Sequence, residues 1–134
     1  MSKKQFILKN FKTVFEQYIE YIENNIESQK YEIAYMKQII SMMIRFNASA
    51  LLKLWFNYIT IPYGEIVLKG DFDYFTEKNY NNDLKDIDQS NVSYVLNVLE
   101  DTKRLAKNID DDKKKEIISY NQKLTKLSIM YFNN

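Results

Sequence analysis

The chain contains no cysteine and no histidine. Without cysteine, the sequence excludes a disulfide framework, CxxC redox chemistry and thiolate zinc sites, and it gives no indication of the redox compartment. Without histidine, it lacks the usual acid–base group of neutral pH and the commonest metal ligand. It also has no GxGxxG, P-loop or GxSxG motif. These absences predict a protein that is not an enzyme and that binds no metal or cofactor.

Glycine and proline are also scarce, with two glycines and one proline in 134 residues. Because hairpins depend on such residues for their turns, the composition favours helices. The length fits one domain, residues 1–134, and the proportion of apolar residues, 46%, is that of a globular protein. The sequence has no run of about eighteen apolar residues, so a membrane span is not expected. Lysines interrupt the first apolar stretch, which argues against a signal peptide. A cytoplasmic location is therefore expected.

The net charge of +1 is unevenly distributed along the chain. Residues 1–60 carry +3, residues 61–112 carry −6 and residues 113–134 carry +4. A protein dedicated to duplex nucleic acid is usually basic overall, because neutralising phosphates supplies most of its affinity. Nucleic-acid binding through the basic N- and C-terminal segments is thus an alternative rather than the first expectation.

Apolar residues recur at steps of three and four along most of the chain, which is the signature of amphipathic helices. The spacing predicts four longer helices, at residues 4–24, 29–46, 48–60 and 91–108, and a long C-terminal helix at 111–132. Residues 79–91 are polar and predict a loop. The expected fold is an all-α, single-domain helical bundle.

Residues 61–80 predict a corner of short helices. Pro62 disfavours helical dihedrals at Ile61, so the preceding helix should stop by Thr60, and Pro62 suits the first turn of a new helix. Gly70 can end that helix in the left-handed conformation, and Asp71 can cap another. A two-stranded arrangement of ITIPYGEIVL remains an alternative, since several of its residues are β-branched.

Aromatic residues are concentrated in the same region. Trp55, Tyr58, Tyr63, Tyr74 and Phe75 are the candidates for an interaction surface, because tryptophan and tyrosine are enriched at the centres of protein interfaces. The filling of a core around the corner is the favoured interpretation of these residues. A stacking surface for single-stranded nucleic acid is a further, less favoured alternative. Trp55 is expected to be a core anchor between the third helix and the 61–80 segment.

Lys113, Lys114 and Lys115 form the clearest basic cluster, and Lys123 and Lys126 follow on the same predicted helix. Such a cluster suits an acidic partner or phosphate. Its position directly after three aspartates also fits a solvated helix start. The serines of the chain, Ser128 included, are interpreted as helix caps or helix-surface residues.

The densest carboxylate set is Glu65, Asp71, Asp73 and Glu77. Oxygen ligands of this kind suit Mg²⁺ or Ca²⁺, but the spacing lacks the glycine and closing glutamate of a calcium loop. Helix caps and solvated positions explain these residues better.

A series of aromatic and turn residues precedes the C-terminal helix in a fixed order: Trp55, Tyr58, the pair Pro62-Tyr63, Asp71, the pair Tyr74-Phe75 and Tyr80. This pattern, over about the last 85 residues, resembles small uncharacterised proteins of nucleocytoplasmic large DNA viruses of protists and algae. In this chain Tyr74 replaces one phenylalanine of the aromatic pair, and Gly64 and Gly70 are additions. The resemblance implies a viral, intracellular, mostly helical protein of the host cytoplasm or the virion, and it supplies no catalytic motif.

The function expected from the sequence is that of a non-enzymatic interaction or structural protein. It would act through helical contacts with a protein partner or with copies of itself, possible roles being those of a virion or virus-factory component. No small-molecule substrate is indicated.

Overall fold

A computed structural model describes residues 2–26, 31–78, 104 and 107–133; for residues 31–36 and Thr76 it describes the backbone alone. The described elements are all helical. They are α1 (Lys3–Asn25), α2 (Tyr31–Phe46), α3 (Ala48–Trp55), a π-helical segment (Phe56–Thr60), α4 (Ile61–Lys69), α5 (Phe72–Glu77) and α6 (Asp111–Phe132). The predicted all-α bundle with a long C-terminal helix is confirmed. The helix predicted at 91–108 and the loop at 79–91 lie outside the described residues, apart from Arg104, Lys107 and Asn108.

The helices begin where side chains can accept free backbone N–H groups. Ser2 and Gln5 form a capping box at α1, in which the Gln5 N–H donates to Ser2 Oγ at 3.1 Å and the Ser2 N–H donates to Gln5 Oε1 at 3.0 Å. Asn47, Asp71 and Asp110 cap α3, α5 and α6 in the same way. The Asp71 cap is as predicted from the sequence.

α1 and α6 pack against each other in opposite directions. Tyr18 stacks on Tyr120 with ring centroids 5.0 Å apart and planes 3° from parallel. Towards the start of α1, Lys4 Nζ lies 5.1 Å from the centroid of Tyr131, near the end of α6. The first turns of α1 and the last turns of α6 therefore lie at the same end of the bundle.

The helical stretch of residues 48–69 also runs antiparallel to α6. The Phe56 and Phe132 rings lie 4.2 Å apart near the end of α6. Further along, Gln122 Nε2–H donates to the carbonyl oxygens of Val67, at 3.4 Å, and Leu68, at 3.1 Å. The core lies where α1, α2, α3 and α6 meet, and its buried cluster consists of Phe11, Phe15, Ile44, Leu51, Leu52 and Leu124.

The expected break in the helical backbone at Thr60 is wrong, because the backbone stays helical from Ala48 to Lys69. The prediction that Pro62 lies in the first turn of a new helix is confirmed, since α4 begins at Ile61. The Ile61 N–H donates to the carbonyl of Phe56, five residues back, which defines the π turn directly before Pro62. Proline has no N–H to donate. A change at this point from hydrogen bonds four residues back to hydrogen bonds five residues back limits the number of backbone hydrogen bonds that are lost. The two-stranded alternative is wrong for the same reason. The chain instead turns at Gly70 and Asp71, between the short helices α4 and α5.

Gly70 has φ 75°, the left-handed conformation expected of a helix-ending glycine. Gly70→Ala is expected to lower the free energy of unfolding by about 1 to 2 kcal/mol, because the new Cβ is strained at this φ. Its Cβ would also lie 3.4 Å from Ile118 Cγ2. Urea unfolding measures the change.

Gly64→Ala is the matched control. Gly64 is helical, and a Cβ there would meet Thr60 Cγ2 at an ordinary 3.8 Å. This change is expected to raise the free energy of unfolding, by up to about 1 kcal/mol, because alanine favours helix. Equal effects of the two substitutions would contradict the account of this turn.

Candidate interaction surface

Trp55 belongs to the core and not to an external surface. It is partly buried, its ring meets the Phe15 ring edge-on at 5.8 Å, and its Nε1–H donates to Thr125 Oγ1 at 3.1 Å. Phe15 lies on α1 and Thr125 on α6. The prediction that Trp55 is an anchor is supported, but it links α3 to α1 and α6 instead of to the 61–80 segment.

A chain of buried hydroxyls continues from this tryptophan. Ser128 Oγ–H donates to the Thr125 carbonyl at 2.7 Å, and the Thr60 hydroxyl lies 2.7 Å from Ser128 Oγ. With its own proton committed, Ser128 accepts from Thr60. In the described part of the chain every buried polar side-chain atom has a hydrogen-bond partner. The surface interpretation of Ser128 is therefore wrong, since the residue is fully buried.

Tyr63, Tyr74 and Phe75 pack on one another where α4 meets α5. The Tyr63 ring lies 5.7 Å from Phe75 and 6.2 Å from Tyr74, and the Tyr74 and Phe75 rings are 5.4 Å apart. Lys78 Nζ lies 5.1 Å from the Tyr63 centroid. These rings fasten α5 to α4. They are a separate cluster from Trp55, so the five aromatic candidates do not form one surface.

Tyr58 is the aromatic candidate that the structure places on the outside. Its side chain is 67% exposed, and the side chains of Leu54 and Ile61, four residues before and three after, are 44% and 65% exposed. Leu68, seven residues beyond Ile61, is also exposed. We call Leu54, Tyr58, Ile61 and Leu68 the outer stripe, because they lie away from the buried side that carries Leu52, Thr60 and Val67.

The outer stripe arises because the sequence here is apolar on both sides of the helix. Between Phe46 and Gly64 the single charged residue is Lys53. A helix that is apolar all round is normally covered on all sides. Tyr58 was predicted from the sequence as an interaction residue, but Leu54 and Ile61 were not. The near absence of charge in this stretch was the signal that could have indicated them.

Lys113, Lys114 and Lys115 lie in the first turns of α6, next to its Asp110 cap. Lys114 Nζ lies 5.7 Å from the centroid of Phe72 on α5. The distance along the helix from Lys113 to Lys126 is thirteen residues, or about 20 Å. The cluster is therefore at the opposite end of α6 from Lys123 and Lys126, and these five lysines do not form one patch.

A different basic region results from the antiparallel packing. Residues 2–15, 41–61 and 117–133 contain no aspartate or glutamate. The contacts of Lys4 with Tyr131 and of Phe56 with Phe132 bring these three runs together. We call their combined surface the basic end, and its cations are Lys3, Lys4, Lys9, Lys53, Lys123 and Lys126. Lys12 and Arg45 belong to the same runs but line the groove between α1 and α2 with Glu16, Glu20 and Glu23.

The acidic set does not converge on a point. Asp71 accepts the Tyr74 N–H through Oδ1, at 3.2 Å, as the cap of α5. Across the described ranges, no three carboxylates come close enough to hold one metal ion. Asp71 therefore has the capping role that the sequence favoured.

An open groove of about 810 Å³ runs between α1 and α2. Ile19, Met42 and Ile44 contribute apolar surface to it, while Glu20 and Arg45 bring opposite charges. An ion pair between Glu23 and Lys37 links the two helices beside the groove. Since both signs of charge line it, the groove selects no single class of ligand.

Tyr18 of α1 packs against α6. Its burial there raises the pKa of its hydroxyl above the ordinary 10.0, and a hydrogen bond with Asn121 opposes part of the increase. As the pH rises past 10, the Tyr18 hydroxyl should therefore lose its proton in the unfolded state before it does so in the folded state. Stability is expected to fall by about 1.4 kcal/mol per pH unit from this group alone.

Tyr18→Phe should remove this residue's contribution to the fall in the free energy of unfolding at alkaline pH. Urea unfolding at pH 9, 10 and about 11 would show the difference. The same slope in the wild type and in Tyr18→Phe would contradict the assignment.

No protein-family model, curated protein or solved structure matches the chain. None of the helices that the structure describes combines the length and apolar character that crossing a bilayer requires.

Proposed function

We propose that this chain is a non-enzymatic interaction protein that docks to a protein partner through the outer stripe. The observation that carries this proposal is the exposure of Tyr58 and Ile61, 67% and 65%, on the side of the helix away from Leu52 and Val67. Contiguous exposed apolar side chains mark interaction sites more often than isolated ones do. Tyrosine is also enriched at the energetic centres of protein interfaces.

The chemistry of the chain supports a binding role. It has no histidine or cysteine, and the buried hydroxyls are all hydrogen-bonded: Thr60 to Ser128, Ser128 to the Thr125 carbonyl, and Thr125 to Trp55 Nε1–H. The contacts of Trp55 with Phe15 and Thr125 fasten this helix to α1 and α6, so the backbone beneath the outer stripe is held before a partner arrives, which lowers the entropic cost of binding. A role in the cytoplasm of an infected cell or in a virion, as the viral resemblance implies, is part of this proposal.

The test compares partner binding by the wild type with binding by the double variant Tyr58→Ser/Ile61→Ser. Both side chains are largely exposed, so the variant should fold, which its circular dichroism and melting temperature would verify. Ile39→Ser, which removes an exposed aliphatic side chain from α2, is the matched control.

We expect the wild type and Ile39→Ser to co-purify with the same protein from the source cells, or to self-associate in light scattering. The double variant should bind at least about tenfold more weakly, the effect of losing roughly 1.4 kcal/mol. Unchanged binding by a folded double variant, or a wild type that is monomeric and captures nothing, would contradict the proposal.

A further inference from the structure

The exposed side of the helical stretch 48–69 stays straight along its length. Its exposed residues are Lys53, Leu54, Asn57, Tyr58, Ile61, Pro62, Glu65, Leu68 and Lys69. In a regular α-helix, positions four apart rotate by about 40° at each step, so the series 53, 57, 61, 65 and 69 would turn towards the core. The π turn, with its hydrogen bond five residues back, takes up part of this rotation. A second helix can therefore follow the outer stripe along its length.

Two opposite charges lie on this exposed side, one on each side of its centre. Lys53 precedes Leu54, Glu65 lies between Ile61 and Leu68, and both charged side chains are exposed. In the part of the chain that the structure describes, neither forms an ion pair. They are about 18 Å apart along the helix axis. Their midpoint falls between the two most exposed side chains of the outer stripe, those of Tyr58 and Ile61.

This arrangement is complementary to itself. A two-fold axis at the level of residue 59 places two copies of the outer stripe antiparallel, and each Lys53 then faces Glu65 of the second copy. The same axis places Tyr58 beside Ile61 of the second copy. A parallel contact would instead bring Lys53 next to Lys53 and Glu65 next to Glu65, and like charges at an interface are unfavourable. Charges that flank an apolar seam set the orientation of paired helices in this way.

We propose that the outer stripe receives the outer stripe of a second copy of this chain, in an antiparallel two-fold contact. This inference rests on the function proposed above and names the partner. A partner of a single charge sign would oppose either Lys53 or Glu65, whereas a second copy satisfies both. Lys69, the remaining charge on this side, would lie opposite Ser49 and Ala50 of the second copy, which are uncharged.

The dimer should be reversible. A contact of one helix side on another is at the small end of specific interfaces, below about 1,200 Å² in total, where transient complexes are typical. We therefore expect the full chain to pass from monomer to dimer at micromolar concentrations. Sedimentation equilibrium between about 1 and 500 μM measures this transition.

The apolar centre of the contact is tested first. Tyr58→Ser/Ile61→Ser should weaken dimerisation at least about tenfold, because each dimer loses both side chains twice. Ile39→Ser removes an exposed aliphatic side chain from α2 and is the matched control, with little effect expected. Circular dichroism verifies that each variant is folded.

Charge exchange tests the orientation. Lys53→Glu and Glu65→Lys each create two pairs of like charges across the contact, so each should weaken dimerisation by about threefold to tenfold at about 0.05 M salt. Mixing these two variants pairs every carboxylate with an ammonium group, so a heterodimer should form about as tightly as the wild-type dimer. The double variant Lys53→Glu/Glu65→Lys should recover for the same reason. Lys113→Glu, far along α6, is the control and should have little effect.

A wild type that stays monomeric up to about 500 μM would overturn the proposal that the partner is a second copy. If Tyr58→Ser/Ile61→Ser then abolishes capture of a different protein from the source cells, the docking function stands. A dimer in which Lys53→Glu and Glu65→Lys have no effect, or in which their mixture does not recover, would overturn the antiparallel contact. A dimer that Tyr58→Ser/Ile61→Ser leaves intact would overturn self-docking through the outer stripe.

Discussion

Trp55→Ala is expected to lower the free energy of unfolding by about 3 to 5 kcal/mol, a large part of the roughly 5 to 15 kcal/mol typical of a domain. The substitution removes the ring that meets Phe15 edge-on at 5.8 Å, and it removes the Nε1–H that donates to Thr125. Thr125 is fully buried, so the variant removes the tryptophan donor of a hydroxyl that lies in the core. Urea unfolding followed by circular dichroism measures the loss.

Trp55→Phe separates the two contributions. It keeps an aromatic ring and removes the hydrogen bond, so it should cost less than Trp55→Ala but more than a surface change. In the wild type, tryptophan fluorescence should be blue-shifted and poorly quenched by acrylamide. Solvent-like emission together with a near-neutral Trp55→Ala would place this side chain outside the core and contradict the account.

Phe11→Ala is expected to be equally severe, at about 3 to 5 kcal/mol. Phe11 is fully buried in the central cluster, and its ring lies 5.7 Å from that of Phe15. Truncation leaves a cavity between α1 and its neighbours, which a rigid helical core cannot fill completely.

Phe6→Ala provides the control on the same helix. The Phe6 side chain is 58% exposed, so its removal should change stability by no more than about 0.5 kcal/mol. Thermal unfolding of the two variants gives the comparison. Similar melting temperatures for Phe6→Ala and Phe11→Ala would show that the inward side of α1 has been assigned incorrectly.

The positions of α1 and α6 were predictable because both helices have one apolar and one polar side. In α1, Ile7, Phe11 and Phe15 recur at intervals of four and are buried, as periodicity predicts. The cap at Asp71 was predictable for a local reason, since a short polar side chain before a helix satisfies nearby N–H groups.

The course of the chain at Pro62 could not be predicted from local rules. A proline usually marks the start of a helix, and here it follows a π turn within a continuous helical backbone. A tertiary contact stabilises this departure from the local rule. Thr60, at the end of the π turn, is buried and hydrogen-bonded to Ser128, 68 residues further along the chain. Such a pairing leaves no periodic signal in the sequence.

The candidate site was predictable in part. The sequence identified the region and Tyr58, but it grouped Tyr58 with Trp55, Tyr63, Tyr74 and Phe75. The helix between Phe46 and Gly64 is apolar on both sides, so periodicity alone does not assign one side to the core. The packing of Trp55 against α1 and α6 makes that assignment and leaves Tyr58 outside.

The basic end also depended on the fold. Lys3 and Lys4 are more than a hundred residues from Lys123 and Lys126 in the chain, and only the antiparallel packing of α1 and α6 places them at the same end. The sequence instead emphasised Lys113, Lys114 and Lys115, which the structure places at the other end of α6.

Photo-crosslinking from position 58 tests the central claim most directly. Benzoylphenylalanine replaces Tyr58 in one chain and Gln17, an exposed polar residue of α1, in the control. Because both positions are exposed, each label should leave the fold intact, and each chain is irradiated in the cells that produce it. The account predicts a discrete adduct with one protein from position 58, its loss when Ile61→Ser is added, and no such adduct from position 17. The absence of an adduct from position 58, or the same adducts from both positions, would contradict docking through the outer stripe.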